Sequence, residues 1–299
     1  MGNWNEIFSE IQNTNSQYDY VRRKYLSQLS EFTHRNIITY YSAWLNKANA
    51  NDIDINDNDM SGFMACVYEM DCTRGLDLIL HTPGGNPTAA EAIVNYLRDK
   101  FNGDIRVIVP QIAMSAGTML ACASKEIIMG RQSSLGPIDP QFNGIPAYNI
   151  KLEYEEAKQD LLENPGNAQY WAIKLQQYPA AFMKSAIDAI ELSEVLVRDW
   201  LGTGMFNKEI KREQKIIDKI VSALNKHENS KTHGRHFNAA FCKELGLRIT
   251  MMEDNQELQD KILSLHHSYM ISLNVTPIVK IIECQNNKGV ILTLPIRVR

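Results

Sequence analysis

The chain has 299 residues, a formal net charge of −4 and 44% apolar residues, enough for a sizeable core in one or two domains. No basic stripe with interleaved aromatics runs along it, which excludes nucleic acid as a natural partner, and no apolar run is long enough for a membrane span. Five cysteines (Cys66, Cys72, Cys122, Cys242, Cys284) without paired CxxC spacing point to reduced thiols. Met1–Glu6 has neither a basic nor an apolar leader region, so no signal peptide is expected and a cytoplasmic location follows.

Residues 1–60 read as a helical N-terminal segment. Trp4, Ile7 and Ile11, then Tyr18, Val21, Tyr25 and Leu29, recur at three- and four-residue steps. Residues 36–47, with Ile37, Ile38, Tyr40, Tyr41 and Trp44, suit a strand leading into a helix. Residues 49–59 (NANDIDINDND) are acidic and rich in turn formers; they lack the glycine and closing glutamate of a calcium loop, which leaves a solvated loop or helix cap. A helix over 61–70 then leads into the core with Phe63, Met64, Val67 and Met70 inward.

Residues 61–205 form the expected core. Apolar runs at 76–80, 105–109 and 126–129, each closed by turn residues, suit strands buried on both faces. Residues 88–101 between the first two place Ala89, Ala90, Ile93, Val94 and Leu97 at helical spacing, and Met119–Ala123 is a small-residue helix. Strand, helix, strand, helix, strand argues for βαβ crossovers and a parallel sheet. Residues 152–162 are helix-like, and 167–204 read as one or two helices broken near Pro179. Trp171, Leu175, Phe182, Ile187, Ile190, Leu196 and Trp200 there are core or subunit-interface positions. The last segment, 206–299, is expected to be helical, with an amphipathic helix over 208–226 and a terminal β-hairpin of 277–284 with 290–296.

Two features of the core suggest a reaction centre. Gly84-Gly85 follows a strand directly, where glycine lets the chain turn sharply and aim N–H groups at a ligand. Ser115 sits where the next strand gives way to a helix, so its hydroxyl lies near the carboxyl edge of the sheet and the Ala116 amide leaves a helix N-terminus. Amides of Gly84 or Gly85 with that of Ala116 could form an oxyanion hole. The plainer alternative is a tight turn and an N-cap serine.

The ordered set HTPGG (81–85), AMSAGT (113–118) and SSLGPIDPQ (133–141) resembles the serine dehydrogenase proteinase family of Clp-fold serine proteases, which is related to signal peptide peptidase A and, more distantly, to the Clp protease proteolytic subunit. The resemblance is strongest over about residues 61–205 and continues weakly through 232–237 and 258–270. It implies an α/β fold, a ClpP/crotonase-like spiral of ββα units with a helical N-terminal addition and an α+β C-terminal one. It also implies Ser115 as nucleophile, an oxyanion hole at Gly84, Gly85 and Ala116, a peptide or protein substrate, and a homo-oligomer. In the Clp proteolytic subunit the base is a histidine in a loop like 136–140, where this chain has Asp139. The signal peptide peptidases use a lysine some way past the serine, which points to Lys158, with Lys151 and Lys174 as rivals. Such a lysine must be neutral, so it needs burial or nearby cations. His233 or His236, folded back over Ser115, is the competing base, and Asp139 is its orienting group or a turn cap. His81 is placed as structural.

No cofactor and no metal are expected. His233, His236, Cys242, Glu253 and His266 do not follow a zinc-ligand spacing, and no GxGxxG follows a strand. Two other readings of the fold remain: a crotonase-type enzyme acting on a CoA thioester, which uses paired amides without a serine nucleophile, and a catalytically inactive scaffold.

Overall fold

The computed structural model describes residues 4–13, 18–225 and 231–294. Its centre is a seven-stranded mixed sheet. In chain order its strands are β1 (Asn36–Ser42), β2 (Leu76–His81), β3 (Ile105–Val109), β5 (Glu126–Met129), β10 (Ile249–Met251), β11 (Ile278–Cys284) and β12 (Gly289–Thr293). Across the sheet they run β10-β5-β3-β2-β1-β11-β12, parallel from β10 to β1 and antiparallel from β1 through β12.

The central strands are buried on both faces, which is why they read as unbroken apolar runs. Leu78, Leu80, Val107 and Val109 face one core, packed by α4 (Pro87–Phe101) and α5 (Ala116–Cys122). Ile79, Ile108 and Ile128 face another, covered by α2 (Tyr18–Thr33) and α11 (Gln256–Val275). Ile7 and Ile11 of α1 (Trp4–Asn13) pack on Val21 and Ile271 at the edge of that second layer. The sheet thus draws strands from every part of the sequence, including β1 near the N-terminus and the hairpin β11–β12.

A second sheet is built from very short strands: β4 (Ile112–Ala113), β6 (Ser134–Leu135) and β9 (Phe237–Asn238). The repeating plan is then visible. β3 leads to β4 and α5, and β5 leads to β6 and, beyond the hairpin β7 (Gln141–Phe142) and β8 (Ile145–Pro146), to α6 (Ala147–Glu163). Each unit is a long strand, a short strand and a helix. This mixed α/β arrangement is ClpP-like.

The remaining helices are α3 (Asp59–Val67), α7 (Ala168–Leu175), α8 (Phe182–Thr203), α9 (Lys211–Asn225) and α10 (Ala239–Leu245). Several local expectations need correcting. No helix follows β1; residues 44–46 form a turn instead. Met64 points outward from α3, which buries Gly62, Phe63, Cys66 and Val67. Trp171 and Trp200 are buried within the chain, in keeping with the core alternative of the two expected for them. The expected end of the hairpin at 295–296 lies outside the described residues, as does Lys226. No helix among the described residues is long and apolar enough to cross a membrane.

Candidate active site

Ser115 sits at the turn between β4 and α5 with φ 50° and ψ −119°. A side chain other than glycine pays conformational energy there, and such strain clusters at functional turns. Strand-to-helix turns of this kind push a serine hydroxyl out above the sheet edge. Ser115 is half-buried, and its hydroxyl makes no hydrogen bond to the described residues. It does not cap its own helix, so the plain N-cap alternative is set aside.

The glycine turn is pressed against this serine. Gly84 has φ 96°, and a Cβ there would meet Met114 O at 2.6 Å, Ser115 Cβ at 2.6 Å and Ala116 N at 2.9 Å. Only glycine fits both the backbone angle and the approach. The turn is held on one side by an isolated bridge from Thr82 to Ala113, through Thr82 N to Ile112 O at 3.2 Å and Met114 N to Thr82 O at 3.0 Å. On the other side Ile55 bridges Gly85, donating its N–H to Gly84 O at 2.7 Å while its carbonyl accepts from Asn86 N at 2.8 Å.

The amides in this turn are unequal. The N–H of Gly84 donates to Thr82 Oγ1 at 3.1 Å, and that of Gly117 donates to Met114 O at 2.7 Å. The N–H groups of Gly85 and Ala116 have no acceptor among the described residues. Two backbone donors without an acceptor among the described residues, beside an unbonded hydroxyl, are the elements that acyl-transfer chemistry needs to hold a tetrahedral oxyanion.

The short sheet brings two further loops to this edge. Ala113 pairs with Leu135 in parallel register, and Leu135 pairs with Phe237 in antiparallel register. Continuing the antiparallel pair four residues past Leu135 reaches Asp139, and four residues before Phe237 is His233. These two meet: His233 Nδ1 lies 2.8 Å from Asp139 Oδ1. Asp139 is buried, and its other oxygen accepts from Gln141 Nε2 at 2.8 Å. With Nδ1–H donating to the carboxylate, Nε2 keeps the lone pair, the tautomer a general base requires. Past the parallel pair Met114 packs on Gly136 of the same loop, where an added Cβ would lie 2.5 Å from Met114 Cε. Thr118 fastens α5 to that loop by donating to Ala113 O at 2.9 Å and accepting from Gly136 N at 2.9 Å. No hydrogen bond joins Ser115 to His233 among the described residues.

The lysines are elsewhere. Lys158 lies on the exposed side of α6, so the burial that a neutral lysine needs is missing. Lys151 is 3.8 Å from Glu155. Lys174 sits 2.7 Å from Glu153, and the hydrogen bond it donates to that carboxylate raises its pKa, opposite to what a base requires. His236 is exposed, with Nδ1 2.8 Å from Ser134 Oγ, and shares no partner with His233.

The imagined zinc set is scattered. His233 goes to Asp139, Cys242 is buried beneath Phe237, Glu253 accepts from Arg131 N, and His266 lies on the other face of the sheet. No group of three His, Cys, Asp or Glu among the described residues is disposed to hold a metal. His81 also points to that other face, fully buried against Tyr41, Trp44 and His266, and burial lowers its pKa to about 4.

The ClpP-like α/β core carries a strained serine beside amides that have no acceptor among the described residues, and part of it resembles known proteins. Residues 45–165 match the family of ClpP-like SDH-type serine proteinases. The match includes Ile55, the glycine turn, Ser115 and Asp139, and stops before His233. Two uncharacterized proteins of Methanocaldococcus jannaschii are similar over shorter stretches. One is 45% identical over 87 residues, which are 29% of this chain and 30% of the relative. The other is 43% identical over 79 residues, 26% of this chain and 27% of the relative. The alignments therefore span less than a third of these curated relatives.

Proposed function

We propose that this protein is a serine peptidase in which Ser115 is the nucleophile, His233 the general base and Asp139 the group that orients it. Ser115 Oγ attacks a peptide carbonyl while His233 Nε2 takes the hydroxyl proton. The carbonyl oxygen, now negative, is received by the amides of Gly85 and Ala116. His233 then returns the proton to the leaving amine, and water repeats the sequence to release the acyl group. Each donor is worth about 2.7–4 kcal/mol of transition-state stabilisation by analogy with other oxyanion holes. His233 closes its last distance to Ser115 when substrate is bound, as catalytic hydrogen bonds tighten in the Michaelis complex.

The observation that carries this reading is the Ser115 backbone at φ 50° and ψ −119°, which holds an unbonded hydroxyl against the Gly84-Gly85 turn. The serine proteinase family of residues 45–165 supports it. The His233–Asp139 pair supports histidine in place of Lys158 as base, and Asp139 as its partner. Gly84 is assigned to shaping the hole and not to donating into it, because its amide is already engaged by Thr82. Exposed apolar side chains on and around α6 and α7 (Leu162, Tyr170, Ile173) suit a homo-oligomer, and five free cysteines suit a reducing, cytoplasmic setting. A fluorophosphonate probe should label the wild-type chain and leave Ser115→Ala unlabelled. Labelling that survives the substitution would remove Ser115 from the mechanism.

A further inference from the structure

We infer that Lys280, Asp59, Tyr40 and Ser42 are positioning residues for the oxyanion hole: a buried polar clamp that fixes residues 53–56 and, through them, the direction of the Gly85 amide. The inference rests on the acyl-transfer reading of the site. Gly85 has φ 148° and no side chain of its own to anchor it. A Cβ there would lie 2.4 Å from both Ile55 N and Ile55 O, so the turn rests backbone to backbone on Ile55. The two bonds from Ile55 to Gly84 O and from Asn86 N to Ile55 O make that support directional.

Ile55 in turn is held by the sheet. Ser42 Oγ donates to Ile53 O at 2.6 Å. Lys280 Nζ donates to Asp54 O at 2.8 Å and to Asp59 Oδ1 at 2.6 Å. Asp59 Oδ2 accepts from Asn56 N at 3.0 Å and from Tyr40 Oη at 2.8 Å. Ser42 and Lys280 are register partners on β1 and β11, and Tyr40 is two residues back on β1. All four side chains are buried. Backbone atoms of residues 53, 54 and 56 are thus each gripped by a side chain rooted in the sheet or at the start of α3, and residue 55 between them carries the glycine turn.

A buried ion pair gives little or no net stability relative to apolar residues of similar shape, because desolvation offsets the Coulomb attraction. What it does supply is direction. Here Lys280, Asp59 and Ser42 each put a hydrogen bond on the segment that backs Gly85, and the Tyr40 phenol holds Asp59 in place. Effects of this kind appear in the rate, since an oxyanion donor misplaced by about 1 Å costs on the order of a hundredfold.

The test uses the full chain with p-nitrophenyl acetate, with rates taken above those of Ser115→Ala. Two variants are compared with wild type: Ser42→Ala, and the double change Lys280→Met with Asp59→Asn, which removes both charges together so that neither is left buried alone. Amide hydrogen exchange is followed at Ile55 and Asn86. The clamp predicts kcat lowered severalfold in Ser42→Ala and roughly tenfold to a hundredfold in the double variant, KM within twofold, and faster exchange at both amides. Unchanged kcat and unchanged exchange in folded Ser42→Ala would overturn it, as would a rise in KM at constant kcat. If wild type turns over no faster than Ser115→Ala, the acyl-transfer reading falls. The clamp then stands or falls on exchange alone, upheld by acceleration at Ile55 and Asn86 and overturned by its absence.

Discussion

Two histidines stand within reach of the same sheet edge, and their surroundings differ in every respect that matters to a base. His81 ends β2, is wholly buried, and has no hydrogen-bond partner for either ring nitrogen among the described residues. Burial drives its pKa down to about 4, and its neighbours are the rings of Tyr41, Trp44 and His266. His233 lies on a loop, is 30% exposed, and has a buried carboxylate 2.8 Å from Nδ1. The first is a neutral packing group that happens to be basic. The second has a carboxylate beside Nδ1, which favours the tautomer with the lone pair on Nε2, and its Nε2 has no hydrogen-bond partner among the described residues. Proximity in sequence to the glycine turn is therefore a poor guide to function, because alternation along β2 turns His81 to the opposite face from Thr82 and the site.

Substitutions sharpen this contrast. Ser115→Ala is expected to abolish covalent labelling and to lower ester hydrolysis by about 10³-fold or more, with a urea midpoint close to wild type because alanine keeps the Cβ and the hydroxyl it removes makes no hydrogen bond to the described residues. His233→Ala should cost about 10³-fold in kcat, measured with the same ester, whereas His81→Phe should leave kcat within about threefold. Equal losses from both would erase the distinction drawn above. Asp139→Asn should cost about 10²–10⁴-fold in kcat by releasing the His233 tautomer, again with modest change in KM.

Stability against pH offers a second handle. The folded-state pKa of His81, about 4, lies below its ordinary 6.5, so its contribution is fully present above pH 6.5 and is lost as pH falls from there toward 4. The loss is on the order of 3 kcal/mol by pH 4. His266, held well below its ordinary value by burial and by His81 and His267, acts in the same direction. Urea midpoints at pH 7 and pH 5 should differ in wild type and differ less in His81→Phe; parallel shifts would remove His81 as a source. The smallest effect is expected for Lys158→Ala, with kcat within about twofold of wild type, since exposed substitutions away from a site are nearly neutral.

The parts legible in the sequence are those whose signal is local. The three buried strands of the core, the helix over Pro87–Phe101 and the strand-turn-helix passage at Ser115 each declare themselves within a dozen residues, by apolar run, helical spacing or glycine pair. The His233–Asp139 pair does not. The two residues are 94 positions apart, and they meet through β6 and β9, strands of two residues each, too short to show any alternation. Counting from the serine points to Lys158, but such a count is blind to which side of α6 faces solvent, and Lys158 is exposed. The acidic stretch before α3 was legible only in part. Asp52, Asp54, Asp57 and Asn58 are exposed as a solvated loop should be, but Ile53 and Ile55 alternate with them and are buried, and Asp59 pairs with Lys280. That period-two alternation was the available sign that the loop runs as a strand-like brace.

The central claim is that Ser115, His233 and two backbone amides act on one carbonyl, and the most direct measurement is a crystal structure of the chain after reaction with a phosphonate probe. The account predicts the phosphorus bonded to Ser115 Oγ, its oxygen within hydrogen-bond distance of the Gly85 and Ala116 amides, and His233 Nε2 within hydrogen-bond distance of the adduct while Nδ1 stays on Asp139. A lysine at that position, or an adduct whose oxygen faces away from both amides, would contradict it.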